Sequence, residues 1–121
     1  LWINEVAPRP HNSGHVTIDA NLTSQYEQHL RAILGMPLGT PRQHSAAAMV
    51  NLLGSPGHQG PPSIIGLREV MAHPGVHLHW YGKAETRPNR KMGHITLTDN
   101  DAQQVMTRAR MVRHTLRVER E

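Results

Sequence analysis

Proline and glycine cut this chain into short pieces, which excludes any fold built on long uninterrupted elements. Nine prolines and ten glycines are spread over 121 residues. Pro8 and Pro10 stop a central strand from running past Val6, because proline cannot donate to a sheet ladder. Gly and Pro recur from Gly35 to Arg42, which reads as a connector, and again from Gly54 to Pro62, which reads as an exposed loop. Pro74-Gly75 ends whatever precedes it. Short strands and a few helices fit between these breaks.

The first helix has the clearest signal. Ser24-Gln25-Tyr26-Glu27 is a capping box, and Tyr26, Leu30, Ile33 and Leu34 then fall on one helical face. Gly35 is placed as its C-terminal cap, with Pro37 beyond it. A second helix is predicted from about Asn100 to the end at Glu121, with Val105, Ala109, Val112 and Leu116 as its buried stripe. Strands are predicted over Leu1–Val6, Ala47–Leu53, Val76–Tyr81 and Met92–Thr98, and a short helix over Ile64–Ala72. In the third of these strands, His77, His79 and Tyr81 share one face while Val76, Leu78 and Trp80 share the other.

Hydrophobic residues make up 37% of the chain and phenylalanine is absent. The core must therefore be thin and aliphatic, as small domains bury a smaller share of their surface. No apolar run approaches the ~18 residues that span a bilayer, and no signal segment opens the chain. Cysteine is absent, so neither disulfides nor thiolate metal sites are available. A cytoplasmic location follows by elimination. The formal net charge of +4 favours anionic partners, either phosphorylated small molecules or nucleic acid. Leu1-Trp2-Ile3 reads as the middle of a strand with no initiating Met, so the chain is expected to continue upstream.

Two stretches carry chemistry. In the first, Glu5, Ala7, Arg9 and His11 project to one side if the chain is extended. That would set a hard-cation ligand, an anion-binding fork and an imidazole in a row. A carboxylate suits Mg²⁺, which uses few protein ligands, and a guanidinium suits bicarbonate or phosphate oxygens. Asn12-Ser13-Gly14 offers a turn whose backbone N–H groups could cradle an anion. On composition alone, a plain strand ending in a turn with solvated charges explains this stretch better.

The second stretch, Lys83 to Lys91, puts four cations in nine residues. It sits between Tyr81 and Met92-Gly93-His94, and Gly82 and Pro88 shape its turn. A phosphomonoester needs such a constrained cluster. Without a motif, a basic surface hairpin with no ligand is at least as good a reading.

The wording of these stretches changes that balance. Residues 4–15 resemble the Asn-Glu-x-Ala-Pro-Arg-x-His-Asn-Ser-Gly-His signature of N5-carboxyaminoimidazole ribonucleotide synthetases, which are ATP-grasp ligases. Further landmarks follow in the same order: Thr23 to Ala32, Val50 to Gly54, Tyr81 to Lys83, and Arg90 to His94. The resemblance implies carboxylation of 5-aminoimidazole ribonucleotide by bicarbonate with ATP, through carboxyphosphate. It implies Asn4 and Glu5 at an ATP–Mg²⁺ site, with Glu5 as the metal ligand, and Arg9 and His11 as catalytic groups on the transferring anion. Asn12, Ser13, Lys83, Arg90 and Lys91 would bind substrate, Lys83 and Arg90 holding the ribotide phosphate.

The implied fold is α+β. Residues 1–38 would be the C-terminal strand and helix of an ATP-grasp domain, and 39–121 a small strand-rich C-terminal domain with a closing helix. Many ATP-grasp relatives carry Asn two residues after the Glu, where this chain has Ala7. A second carboxylate and the lysines that grip ATP would then come from upstream, and the chain alone is expected to be inactive. A homodimer is an open possibility.

Other readings rank lower. Two imidazoles at His77 and His79 lack a third ligand at a telling spacing. Arg108, Arg110, Arg113, Arg117 and Arg120 make the final helix basic, so a nucleic-acid-binding module is the alternative function, although stacking aromatics are scarce. Ser13-Gly14-His15 has no nucleophile elbow around it. Met106 and Met111 read as filler at the edges of the helix's apolar stripe.

Overall fold

The structure, a computed structural model, describes residues 5–121. The strand expected at Leu1–Val6 falls mostly outside them, as does Asn4. Its described part, 5–6, forms no strand. The chain divides into two compact units, Leu1–His44 and Ser45–Glu121.

In the first unit a 3-10 helix, Asn12–His15, runs into α1 (Val16–Ala20) and is followed by α2 (Gln25–Ile33). The first two were not anticipated, because His11 is not a favoured cap and Val16-Thr17-Ile18 is β-branched. Hydrogen bonds override that propensity. His11 Nδ1 accepts from Ser13 N at 3.2 Å, and Thr17 Oγ1 donates to Gly14 O at 2.6 Å while accepting from Gln25 N at 2.9 Å.

Helix α2 starts as its capping box predicts, with Ser24 Oγ accepting from Glu27 N at 3.1 Å. It ends in a Schellman arrangement: Met36 N donates to Arg31 O at 2.9 Å and Gly35 N to Ala32 O at 3.3 Å. Gly35 has φ 64°, where a side chain would be strained. The apolar stripe is on one face as expected, but Leu30, Ile33 and Leu34 are exposed in this chain.

The connector belongs structurally to this unit. Gln28 brackets Gly39, donating to its carbonyl at 2.5 Å and accepting from its N–H at 2.9 Å. Leu22 N donates to Arg42 O, and His44 N to Ala20 O, both at 2.9 Å. The segment 39–44, which the sequence reading places in the second domain, is thus tied to the first.

The second unit contains β1 (Ala46–Leu53), β2 (Pro62–Ile65), α3 (Leu67–Met71), β3 (Val76–Trp80), β4 (Lys91–Asp99), α4 (Ala102–Thr115) and β5 (Arg117–Arg120). Strands β1, β4 and β3 form an antiparallel sheet in that order, and β2 pairs antiparallel with β5. Alternation along the sheet separates its two faces. Ala48, Val50, Val76, Leu78 and Trp80 pack on the cluster formed by Ile95, Leu97, Val105 and Val112. The other face is polar, with His79 opposite His94 and His77 opposite Thr96.

Two sequence expectations are corrected here. The helix expected over Ile64–Ala72 is really strand β2, a turn at Gly66 and then α3. Ile64 and Ile65 pair with Val118 and Arg117, and Gly66 has φ 80°, a left-handed geometry that ends the strand. The final helix stops at Thr115 rather than running to Glu121, and Arg117–Arg120 is strand. Its stripe is otherwise as predicted: Val105 and Val112 are buried, Ala109 packs against the cluster, and Leu116 is buried just past the helix end.

Asp101 caps α4 by accepting from Gln103 N at 2.8 Å. Nearby, the Asp101 N–H donates to Asp99, which lies 2.9 Å from Arg108. That backbone donor, and after it the guanidinium, hold the Asp99 carboxyl below the usual carboxylate range despite some desolvation.

Candidate functional site

Each unit presents one group of the residues singled out by sequence. In the first unit a bend at Pro8–Arg9 interrupts the extended row, so Glu5, Ala7, Arg9 and His11 do not form one straight edge. Glu5 is exposed and makes no hydrogen bond or ion pair with the other described residues. Arg9 is also exposed, and its only hydrogen bond among them is a long 3.4 Å one to Pro10 O. Both heads are open to a ligand. Beside Arg9 lies a depression of about 260 Å³ lined by Ala7, Pro8, Arg9, Pro10, Gln25 and His29.

His11 is fixed from two sides. Its Nδ1 caps the 3-10 helix through Ser13 N and lies 3.1 Å from Ser13 Oγ. Its carbonyl accepts from Tyr26 Oη at 2.9 Å and from Gly14 N at 2.9 Å. The Tyr26 phenol is pushed above its ordinary pKa by desolvation, so it stays a donor at neutral pH. The backbone cradle expected from Asn12-Ser13-Gly14 is therefore absent: the N–H groups of Ser13 and Gly14 are both spent on His11. What the segment offers is the remaining imidazole nitrogen, Nε2, with the Arg9 guanidinium beside it in sequence.

One carboxylate at Glu5 is a thin metal site. Its chemistry suits Mg²⁺, which keeps its waters and is completed by nucleotide phosphates. It does not suit a caged ion such as structural Zn²⁺, which needs four protein ligands.

In the second unit the basic turn hangs between β3 and β4. Tyr81 N donates to Met92 O at 3.0 Å, extending the ladder past Trp80. Gly82 at φ 65° and Asn89 at φ 62° make the reversals. The turn is pinned to the 54–60 loop: Thr86 exchanges hydrogen bonds with Gly60 at 2.7 and 3.2 Å, and Gly54 donates to Arg90 O while accepting from Asn89 N, both at 2.9 Å. Lys83 Nζ donates to Lys91 O at 2.6 Å and Arg90 Nη1 to Glu85 O at 3.1 Å. Lys83, Arg90 and Lys91 thus share one turn of constrained backbone. Lys91 and Arg87 are exposed.

Beneath the turn lies a cluster that sequence reasoning missed. Tyr81 Oη is 2.9 Å from His94 Nδ1, and the His94 ring stacks on His79 at 4.4 Å with 10° between planes. The alternation of His77, His79 and Tyr81 hinted at it, but the partner lies across the sheet. A larger groove of about 620 Å³ runs between β1 and α4 and includes Arg110 and Arg113. It holds no carboxylate or imidazole and is not at the basic turn.

The likeness to known proteins follows the same division. Residues 47–108 match the phosphoribosylaminoimidazole carboxylase C-terminal domain, and residues 1–26 match the ATP-grasp domain. The N5-carboxyaminoimidazole ribonucleotide synthase of Synechococcus elongatus is 57% identical over 99 residues, covering 80% of this chain and 25% of that protein. The crystal structure of the Thermotoga maritima synthetase is 53% identical with a TM-score of 0.94, covering 98% of this chain and 33% of that one. An Aspergillus clavatus N5-carboxyaminoimidazole synthase, solved with ADP and 5-aminoimidazole ribonucleotide, is 30% identical with a TM-score of 0.74 and covers 88% and 28%. The chain spans roughly a quarter of the length of the curated relatives it matches.

Proposed function

This chain belongs to the family of phosphoribosylaminoimidazole carboxylase C-terminal domains, and on that premise we propose that it serves as part of a longer ATP-dependent ligase that carboxylates 5-aminoimidazole ribonucleotide. The observation that carries this reading is the match at 57% identity over 80% of the chain. The Aspergillus clavatus relative binds ADP and the ribotide, which agrees with the anion-binding chemistry of the two groups.

The proposed reaction has two displacements. A bicarbonate oxygen attacks the γ-phosphorus of ATP, giving carboxyphosphate and ADP. The exocyclic amine of the ribotide then attacks the carboxyl carbon, phosphate leaves, and the amine loses a proton. Charge develops on transferring oxygens in both steps, so fixed cations and N–H donors are the protein's main tool. Arg9 presents two parallel N–H groups to bicarbonate or the phosphoryl group, and His11 offers Nε2 from a ring held by its own helix cap. By the motif shared with the synthetases, Asn4 is assigned to the nucleotide, and Asn12 and Ser13 to the substrate. Lys83, Arg90 and Lys91 take the ribotide phosphate.

Glu5 is the carboxylate for Mg²⁺, which when bound neutralises the nucleotide phosphates. The proposed location is cytoplasmic. Among the described residues no helix is long and apolar enough to cross a membrane.

Nucleic-acid binding loses its main support. Of the five arginines expected on one basic helix, Arg117 and Arg120 lie on β5 and Arg108 is paired with Asp99.

The test of the proposal is ADP release by the full-length enzyme. Release should require bicarbonate and be stimulated by the ribotide. The 121-residue chain alone should show no ribotide-stimulated turnover, since it matches the ATP-grasp domain only over residues 1–26. ADP release by the full-length protein that responds to neither bicarbonate nor the ribotide would contradict the ligase reading.

A further inference from the structure

Lysine ammonium groups sit on flexible four-carbon stems, and ordering one costs rotamer entropy unless something presets it. Lys83 is preset at two points. Its Nζ donates to Lys91 O at 2.6 Å and lies 5.8 Å from the centroid of the Tyr81 ring, within cation–π range. The phenol is itself held. Tyr81 is 36% exposed and stands outside the hydrophobic cluster, so packing alone does not fix its ring. Its Oη hydrogen-bonds His94 Nδ1 at 2.9 Å. His94 is 2% exposed on the central strand β4, and its ring is stacked on its register partner His79.

These contacts form a chain from a rigid strand to a solvent-facing cation: His79 and His94 stack, His94 orients Tyr81, and Tyr81 places Lys83. We propose that Tyr81 and His94 are positioning residues for the Lys83 ammonium, setting where the basic turn meets the ribotide. This rests on the reading that Lys83 acts on that substrate, and it adds two residues to the machinery. Tyr81 supplies a flat, electron-rich ring face, and the hydrogen bond to a buried imidazole stops that face from rotating away.

The experiment is a double-mutant cycle in the full-length enzyme, with kcat and KM for the ribotide measured separately and thermal unfolding followed alongside. Tyr81→Phe keeps the ring and removes the tether, so it isolates the hydrogen bond. It should lower kcat/KM by about three- to tenfold, a share typical of one hydrogen bond, and leave the melting temperature unchanged. The loss should fall on whichever parameter Lys83→Ala changes. In the Lys83→Ala background Tyr81→Phe should cost nothing more, because the group it positions is gone. His94→Asn, which can still offer a hydrogen-bonding group to Tyr81, should keep more activity than His94→Leu.

Wild-type kinetics for Tyr81→Phe would overturn the proposal. So would losses that multiply in the double variant, or a drop in activity matched by a drop in melting temperature. If Lys83→Ala alone left both parameters unchanged, the assignment of Lys83 to the ribotide would fall, a result distinct from failure of the Tyr81 link.

Discussion

Arg90→Ala in the full-length enzyme should lower kcat/KM for 5-aminoimidazole ribonucleotide by roughly 10- to 100-fold. A charge-assisted contact to a phosphate contributes about 1.5–3 kcal/mol, and each 1.4 kcal/mol is a factor of ten. The side chain's partner within the protein is the Glu85 carbonyl, which is exposed and can turn to water, so truncation should cost the fold little. The backbone of Arg90 still accepts from Gly54 N and donates to Arg87 O after the change, which keeps the turn in place. Steady-state kinetics with the ribotide varied at saturating ATP and bicarbonate would check this. Arg90→Lys should recover part of the loss, since it restores charge but not the planar fork. An unchanged kcat/KM for Arg90→Ala would remove the basic turn from the substrate site.

Glu5→Ala should act on a different substrate. Its carboxylate is exposed and has no partner among the described residues, so replacing it disturbs no contact among them. If Glu5 holds Mg²⁺ on the nucleotide, the variant should need a higher magnesium concentration for half-maximal rate and lose about 10-fold or more in turnover. The KM for the ribotide should stay near wild type. Magnesium titrations at fixed ATP, run on Glu5→Ala and Arg90→Ala together, separate the two groups. An identical kinetic signature for both variants would show that the division into a nucleotide side and a ribotide side is wrong.

How far the sequence could be read differs from element to element, and the reasons are physical. Helices α2 and α4 were legible because their signals are local: Ser24 and Glu27 form the cap, Gly35 ends the turn, and Val105, Val112 and Leu116 keep the helical period. Strands β2 and β5 were not. Arg117-Val118-Glu119-Arg120 has one apolar residue and strong charge, and it is a strand only because it pairs with Pro62–Ile65 far back in the chain. The stripe of α4 runs on to Leu116 with no proline or glycine before Glu121, which made the helix look longer than it is. The helix at Asn12–Ala20 was hidden by β-branched residues and a histidine cap, and tertiary hydrogen bonds to Thr17 and His11 settle it.

Periodicity found the apolar face of α2 but could not say what covers it: Leu30, Ile33 and Leu34 are exposed in this chain. The site was legible as motif and not as geometry. Lys83, Arg90 and Lys91 were visible as a cation cluster, yet the Tyr81–His94 link needed the register of β3 against β4. In the first group the expected row of Glu5, Arg9 and His11 assumed an extended chain, and the bend at Pro8–Arg9 breaks it.

The most direct test of the central claim follows the carbon. The full-length enzyme would be incubated with ¹³C-bicarbonate, ATP and 5-aminoimidazole ribonucleotide, and the product read by ¹³C NMR without acid quenching. The account predicts one new carbamate carbon signal on the ribotide nitrogen, formed in step with ADP and phosphate and lost on acidification. ADP formation without that signal, or a label bonded to ring carbon, would contradict it.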